Sequence, residues 1–338
     1  MIDVEKFVGA MNSAGVDFFT GVPDSLLKSF CAYVTDTCGD NHVIAANEGG
    51  AVGLAAGHYL ATGKPALVYM QNSGQGNAVN PLCSLADPDV YSIPMVLLVG
   101  WRGEPGVKDE PQHVKQGKVT ISLFETLGIP TAILPDNDES AAAVTRKMVE
   151  TAKAESRPVA LIVRKGLFAE YKLQNKRPDI AALPREQAIE EILKSLPKNA
   201  VVVSTTGMIS REVYETRERL GQGHESDFLT VGSMGHASMI ALGIAKAQPS
   251  RHVFCLDGDG ASIMHLGNMA IAGQSGCANL THIVLNNSAH DSVGGQPTVG
   301  GDIDLSSIET SHAIPLAISS TPRVRPPTNW SCGDCRTL

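Results

Sequence analysis

Two polar elbows, each closing an apolar run, constrain this chain more than any other feature. His252 to Leu256 (HVFCL) reads as a buried strand and leads into Gly258-Asp259-Gly260-Ala261. Ser262 to Ala272 reads as a helix. Thr281 to Leu285 is a second apolar run, and it ends in Asn286-Asn287, a pair that begins 25 positions after Ala261. Strand, helix and strand in that order make a βαβ unit whose strands end on one sheet edge, where ligands of open α/β sheets collect. Asp259 and Asn287 there offer two hard oxygens to one Mg²⁺, with the Ala289 carbonyl as a third. The amides around Ala261 and Ser262, at a helix start, suit a diphosphate, with Gly258 and Gly260 in the same cradle.

At 338 residues the chain suits about two domains, each able to bury its own core. A net charge of -8 with no Lys/Arg block argues against nucleic acid as a partner. No run of 18 apolar residues suggests a membrane span. The N-terminus, MIDVEKFVGAM, carries acids and no long apolar stretch, so no signal peptide and a cytoplasmic location are expected. Cys31, Cys83, Cys255 and Cys277 sit in largely apolar or small-residue stretches and are expected to be reduced core residues.

Short apolar runs alternate with helical patterns from residue 1 to 165, the signature of a parallel sheet. Strands are expected at Asp17–Thr20, His42–Ala45, Ala66–Met70, Met95–Val99, Ala132–Leu134 and Ala160–Val163, with helices at Gly50–Ala61 and Glu139–Ala154. Residues 166 to 186 are polar and contain two prolines, which reads as a linker. A second series, residues 187 to 306, has strands at Ala200–Ser204, Phe228–Val231, Val253–Leu256 and Ile283–Leu285. The expected fold is therefore α/β, two doubly wound parallel-sheet domains. Residues 307 to 338 are rich in Pro, Ser, Arg and Cys and show no period, so they read as an atypical tail after an incomplete second domain. Cys332-x-x-Cys335 in it lacks partners at zinc spacing.

Several further segments carry chemistry. Asn47-Glu48-Gly49-Gly50 ends one strand and opens an Ala/Gly-rich helix, where an acid is favoured by the helix dipole. Ser204-Thr205-Thr206-Gly207 follows the first strand of the second series, and its hydroxyls and amides suit a diphosphate or a simple ST-turn. Met234 in Val231-Gly232-Ser233-Met234-Gly235 could fill core, but the glycines beside it favour close ligand approach. Asp24 in Gly21-Val22-Pro23-Asp24-Ser25 suits a helix cap. Asn72 and Ser73 lie in a polar, Gly-rich loop. Gly100 to Gly117 has four glycines and two prolines and carries Arg102, Lys108, Lys115, Gln112 and His113, a length of loop that is often functional.

In order along the chain, GVPDS, ANEG, YMQNSG, GWRGEPG, DEPQH, STTGM, VGSMGHA, GDGA and NN closely resemble the thiamine-diphosphate-dependent phosphonopyruvate and sulfopyruvate decarboxylases, from the N-terminus to about Gly301. The resemblance fades after Gly301 and is expected to fail after Ser307. It implies two domains of the thiamine-diphosphate-binding type, the first for the aminopyrimidine ring and the second for the diphosphate, with Mg²⁺. It makes Glu48 the carboxyl group that hydrogen-bonds the pyrimidine, and Met234 the prop between the cofactor's rings, with the Gly232 carbonyl facing the exocyclic amine. Thr205, Thr206, Gly207, Ser233 and Ser262 join the cofactor site, and Asp259, Asn287 and Ala289 the metal site. Asp24 and His113 become candidates for proton transfer. Asn72, Ser73, Arg102, Lys108 and Lys115 become candidates for binding a small anionic 2-oxo acid. The implied reaction is non-oxidative decarboxylation of 3-phosphonopyruvate through a thiamine ylide. Sulfopyruvate decarboxylation, a related ligation reaction and an inactive cofactor-binding homologue stay open as alternatives. The resemblance also implies self-association as a homodimer or larger, with Glu48 and Asp259 of different chains serving one cofactor.

Overall fold

The computed structural model describes residues 1–176 and 183–309. The tail after 309, with Cys332 and Cys335, and the centre of the expected linker lie outside the described residues. The first half runs α1 (Val4–Ser13), β1 (Phe19–Gly21), α2 (Lys28–Thr37), β2 (His42–Ile44), α3 (Glu48–Thr62), β3 (Ala66–Gln71), α4 (Gln75–Pro81), β4 (Met95–Gly100), α5 (Pro111–Thr126), β5 (Thr131–Ile133), α6 (Asp138–Glu155) and β6 (Pro158–Val163). Its strands form one parallel sheet in the order β2-β1-β3-β4-β6-β5. The second half runs α7 (Arg185–Ser195), β7 (Val201–Ser204), α8 (Met208–Leu220), β8 (Asp227–Leu229), α9 (Ala237–Ala247), β9 (Val253–Gly258), α10 (Asp259–Met264), α11 (Gly267–Gln274), β10 (Leu280–Leu285), β11 (Ala289–His290), β12 (Gln296–Pro297) and α12 (Leu305–Glu309). Here the parallel sheet has the order β10-β9-β7-β8. β11 and β12 form a separate antiparallel pair.

Period-two packing explains why β3, β4 and β6 read as unbroken apolar runs. Leu67, Tyr69, Val96, Leu98 and Leu161 enter one core with Phe7, Phe30 and Val149 of α1, α2 and α6. Val68, Met70, Leu97, Val99 and Ile162 enter the other with Ala51, Ala55 and Phe124 of α3 and α5. The second sheet is covered in the same way, by α9 and α11 on one face and α7 and α8 on the other. Helix starts follow local chemistry: Asn47 caps α3 through Gly50 N (2.8 Å), and Asn137 caps α6 through Ser140 N (2.9 Å).

Three expectations need correction. The helix expected at Ser262–Ala272 begins earlier, at Asp259, and breaks at His265, whose φ/ψ of -131/56 is not helical. The start of the expected linker is docked onto the first domain: Leu167, Phe168 and Leu173 are buried, and Asp36 accepts from Tyr171 and from the Gln174 and Asn175 amides. Apolar side chains hidden among charged neighbours hold it there. Of the four cysteines expected in the core, Cys31 and Cys255 are buried, Cys277 is half-buried and Cys83 is exposed, because the turn after α4 points it outward. Among the described residues no helix is long and apolar enough to cross a membrane.

Candidate active site

The winding reverses between β1 and β3 in the first sheet and between β7 and β9 in the second. Such switch points leave a crevice at the carboxyl ends of the strands. Both crevices open on a single cleft of about 610 Å³. Val22, Glu48, Ser73 and Arg102 come to it from the ends of the first sheet, and Thr205, Val231, Gly258 and Asn287 from the ends of the second. The two halves touch beside it, where Asn47 Nδ2 donates to the Met264 carbonyl at 3.2 Å. Glu48 and Asp259 thus line one cleft of one chain, whereas the resemblance implied a site built between chains.

Glu48 is the first residue of α3 and only 4% exposed. Its Oε2 accepts from Asn77 Nδ2 at 2.7 Å, and its side chain packs on Gly74, where any Cβ would collide with it. Burial pushes its carboxyl above the usual range, and the Asn77 hydrogen bond opposes that in part. Such a group is suited to holding a proton that it shares with a ligand nitrogen.

Asp259 opens α10, is 3% exposed, and accepts from Thr298 Oγ1. Burial again dominates and raises its pKa. A buried carboxylate of this kind calls for a cation. Asn286 ties the neighbouring loop: its Nδ2 donates to the Gly300 carbonyl at 2.5 Å and its Oδ1 accepts from Ser288 N at 2.9 Å. Gly300 comes so close to Asp259 and Asn286 that a Cβ there would meet both at under 3 Å. Asn287 lines the cleft beside Ala289. An all-oxygen set of one carboxylate, one amide and one carbonyl fits Mg²⁺.

Two buried hydroxyls in this half, Thr205 Oγ1 and Ser262 Oγ, have no hydrogen-bond partner among the described residues. A buried polar group left unpaired costs about 1–3 kcal/mol, so both are suited to an acceptor-rich ligand such as a diphosphate. Gly207 adopts φ 93 at the start of α8, a conformation that favours glycine, and it lines the cleft with Thr205 and Thr206. Gly232, Ser233, Met234, Gly260 and Ala261 also line the cleft.

The expected substrate loop divides. Arg102 and His113 line the cleft, with Ser73. Asp109 grips Arg102 at Nε (2.8 Å) and Nη2 (2.5 Å), and Ser25 Oγ accepts from Nη1 (2.9 Å). The Arg102 guanidinium holds the Asp109 carboxyl far below the usual carboxylate range. Burial, with Arg102 next, lowers the pKa of His113, which favours its neutral form. Lys108 and Lys115 are exposed and absent from the cleft wall. Asp109 folds the loop inward just past Lys108, and α5 turns Gln112, His113 and Gln116 to the cleft while Lys115 falls on the outer face.

Three more expected residues sit behind the wall. Asp24 is fully buried; it caps the following turn through Leu26 N (3.0 Å) and accepts from Gln71 Nε2 (2.7 Å), so it reaches the cleft only through Gln71. Asn72 is also fully buried and cross-links the Arg102 carbonyl (2.7 Å) and Thr120 Oγ1 (2.8 Å). Ser262 lies one turn inside α10. The sequence reading missed Arg185, Gln71, Gln116, Asn77 and His290 as individual cleft residues. His290, whose pKa burial lowers to about 4, follows the Asn pair closely enough that its place was available as a signal. Arg185 carried none, since it stood at the end of the expected linker.

The fold and this site define a thiamine-diphosphate enzyme. Residues 4–123 match the thiamine pyrophosphate enzyme N-terminal TPP binding domain, and residues 205–319 match the C-terminal TPP binding domain. The second match runs past Ser307, where the resemblance was expected to fail. The chain is 35% identical to a phosphonopyruvate decarboxylase of Streptomyces hygroscopicus, over 91% of this chain and 78% of the relative. It is 36% identical to one of Streptomyces viridochromogenes, over 91% and 79%. A sulfopyruvate decarboxylase of Methanosarcina acetivorans is 27% identical over 87% and 78%. The chain belongs to the phosphonopyruvate decarboxylase family.

Proposed function

We propose that this protein catalyses the non-oxidative decarboxylation of 3-phosphonopyruvate to phosphonoacetaldehyde and carbon dioxide, as a step in phosphonate biosynthesis, using thiamine diphosphate and Mg²⁺. The observation that carries the reading is 35–36% identity over 91% of the chain to two phosphonopyruvate decarboxylases, against 27% over 87% to one sulfopyruvate decarboxylase. In this reading residues 1–165 hold the aminopyrimidine ring and residues 187–306 the diphosphate.

Asp259, Asn287 and the Ala289 carbonyl would hold Mg²⁺, and Thr205, Thr206 and Gly207 the diphosphate, with Ser262 behind them in α10. The cofactor supplies the electron sink that stores the pair left when the bond to the carboxylate breaks. Glu48 holds a proton at the pyrimidine nitrogen, and its burial keeps water from competing. Met234 and the Gly232 carbonyl fix the ring orientation. Arg102 binds the anionic head at carbon three and so aims the keto carbon at the cofactor. Carbon dioxide leaves as the C1–C2 bond breaks. Carbon two then takes one proton, for which His113, on the same wall as Arg102, is the donor once solvent has protonated it to the imidazolium.

The subunits should associate as homodimers or larger assemblies; exposed Leu54 and Leu60 on α3 support this. Light scattering on the purified protein tests it, and a monomer at micromolar concentration would refute it. Mixing Glu48→Gln with Asp259→Ala chains separates the two site arrangements, because activity returns only if one cofactor is shared between chains. The function itself is tested by incubating the protein with 3-phosphonopyruvate, thiamine diphosphate and Mg²⁺. Phosphonoacetaldehyde should accumulate, and its absence with cofactor bound would refute the assignment.

A further inference from the structure

Asn287 must present an oxygen, not its NH₂ group, if it is to bind a cation. The two ends of its amide are held by different partners. Oδ1 accepts from Ala289 N at 3.1 Å, and Nδ2 donates to Asp291 Oδ2 at 2.6 Å. A flipped amide would set its NH₂ against the Ala289 N–H and its oxygen against the Asp291 carboxylate, two repulsive contacts. Asp291, however, sits in the short turn after β11, and its side chain is half exposed. Something must hold it in place.

That partner is Arg185, the first residue of α7. Its Nη1 donates to Asp291 Oδ2 at 3.1 Å. Its Nε and Nη2 donate to the two carboxylate oxygens of Glu212 on α8, both at 2.9 Å. The paired grip fixes the guanidinium plane on a buried acid between two helices. From there the third nitrogen reaches the turn. A continuous relay thus runs Glu212–Arg185–Asp291–Asn287, from rigid helices to the edge of the cleft.

We infer that Arg185 is a positioning residue for the metal centre, acting through Asp291 to orient the Asn287 amide so that Oδ1 faces the cation. Outer partners of metal ligands commonly set ligand orientation, and their loss costs about tenfold to a hundredfold in metal affinity. The inference rests on the proposed reading of Asp259, Asn287 and Ala289 as metal ligands. It has a sharp competitor. Arg185 is a positive charge near a cation site, so if it acted only through its field, removing it would tighten metal binding. The sign of the effect separates orientation from field.

The test uses the full chain with thiamine diphosphate and Mn²⁺ as the paramagnetic stand-in, with free Mn²⁺ read by electron paramagnetic resonance. Arg185→Gln should weaken Mn²⁺ binding about tenfold or more. Asp291→Asn should weaken it comparably, and the double variant should be little worse than the weaker single, because both break one relay. Asp291→Asn leaves the Arg185–Glu212 pair between α7 and α8 intact, so the melting temperature of the metal-free protein should stay near the parent's. Unchanged or tighter Mn²⁺ binding in Arg185→Gln overturns the inference. So does additive loss in the double variant, or a raised KM for substrate in Arg185→Gln with Mn²⁺ affinity intact, which would make it a substrate contact. A parent chain that binds no Mn²⁺, or an Asp259→Ala variant that binds it normally, would instead remove the metal assignment beneath it.

Discussion

Replacing Arg102 by Ala removes the cation best placed to read the substrate's anionic head. A guanidinium carries five N–H donors. Asp109 and Ser25 engage Nε–H and one N–H on each terminal nitrogen. One N–H on each Nη remains, a spacing that suits two oxygens of one phosphonate. A hydrogen bond to a charged group contributes about 1.5–3 kcal/mol. Losing one net contact of that kind corresponds to about a 10- to 150-fold rise in KM. The Asp109 carboxylate is not left bare, since the Gly103 and Glu110 amides each donate to it at 2.8 Å. The loop should therefore survive the substitution. Initial rates on 3-phosphonopyruvate and on plain pyruvate provide the assay, because pyruvate lacks the head group. The variant should lose the phosphonate substrate selectively. Equal losses on both substrates would refute the reasoning and make Arg102 a fixture of the loop.

Other outcomes follow from the same geometry. Glu48→Gln should keep its bond from Asn77 and most cofactor affinity, yet lower turnover by about a hundredfold or more, and normal deuterium exchange at the cofactor's thiazolium carbon would contradict this. Burial raises the Glu48 pKa in the folded chain, so the folded form binds the proton more tightly than the unfolded one. That contribution to stability is complete below the unfolded value and is lost as pH rises through the folded value. Metal- and cofactor-free Glu48→Gln should therefore melt above the parent at pH 7, with the gap closing in acid; calorimetry across pH checks it, and a gap that widens in acid would contradict it. Asp259→Ala should abolish Mg²⁺-dependent retention of thiamine diphosphate, measured by equilibrium dialysis, and undiminished retention would remove Asp259 from the metal site. Lys108→Ala and Lys115→Ala, both on exposed positions, should leave KM within about twofold, and a tenfold rise in either would show that the loop closes over substrate.

The elements that carry the cofactor were legible because their chemistry is local. A strand, a Gly-Asp-Gly turn and an Asn pair at fixed spacing determine where Asp259 and Asn287 fall once the strands pair. Burial on both faces made β3, β4 and β6 equally plain, as unbroken apolar runs. What sequence left hidden depends on which way a side chain faces once the loops have folded. Lys108, Arg102 and Lys115 look alike in the chain, yet the Asp109 carboxylate draws only Arg102 inward. Asp24 and Asn72 sit among the right motifs, but their side chains bond backbone and side-chain partners one layer behind the cleft. Arg185 was invisible because its role depends on Glu212 and Asp291, 27 and 106 residues away.

The central claim is that this cleft decarboxylates a phosphonate-bearing 2-oxo acid. Its most direct test is competition: equimolar 3-phosphonopyruvate and 3-sulfopyruvate supplied to the purified protein with thiamine diphosphate and Mg²⁺, with both aldehydes followed by nuclear magnetic resonance. The account predicts that phosphonoacetaldehyde and carbon dioxide form in equal amounts and well ahead of sulfoacetaldehyde. Preferential formation of sulfoacetaldehyde, or no decarboxylation by protein that has demonstrably bound the cofactor, would contradict it.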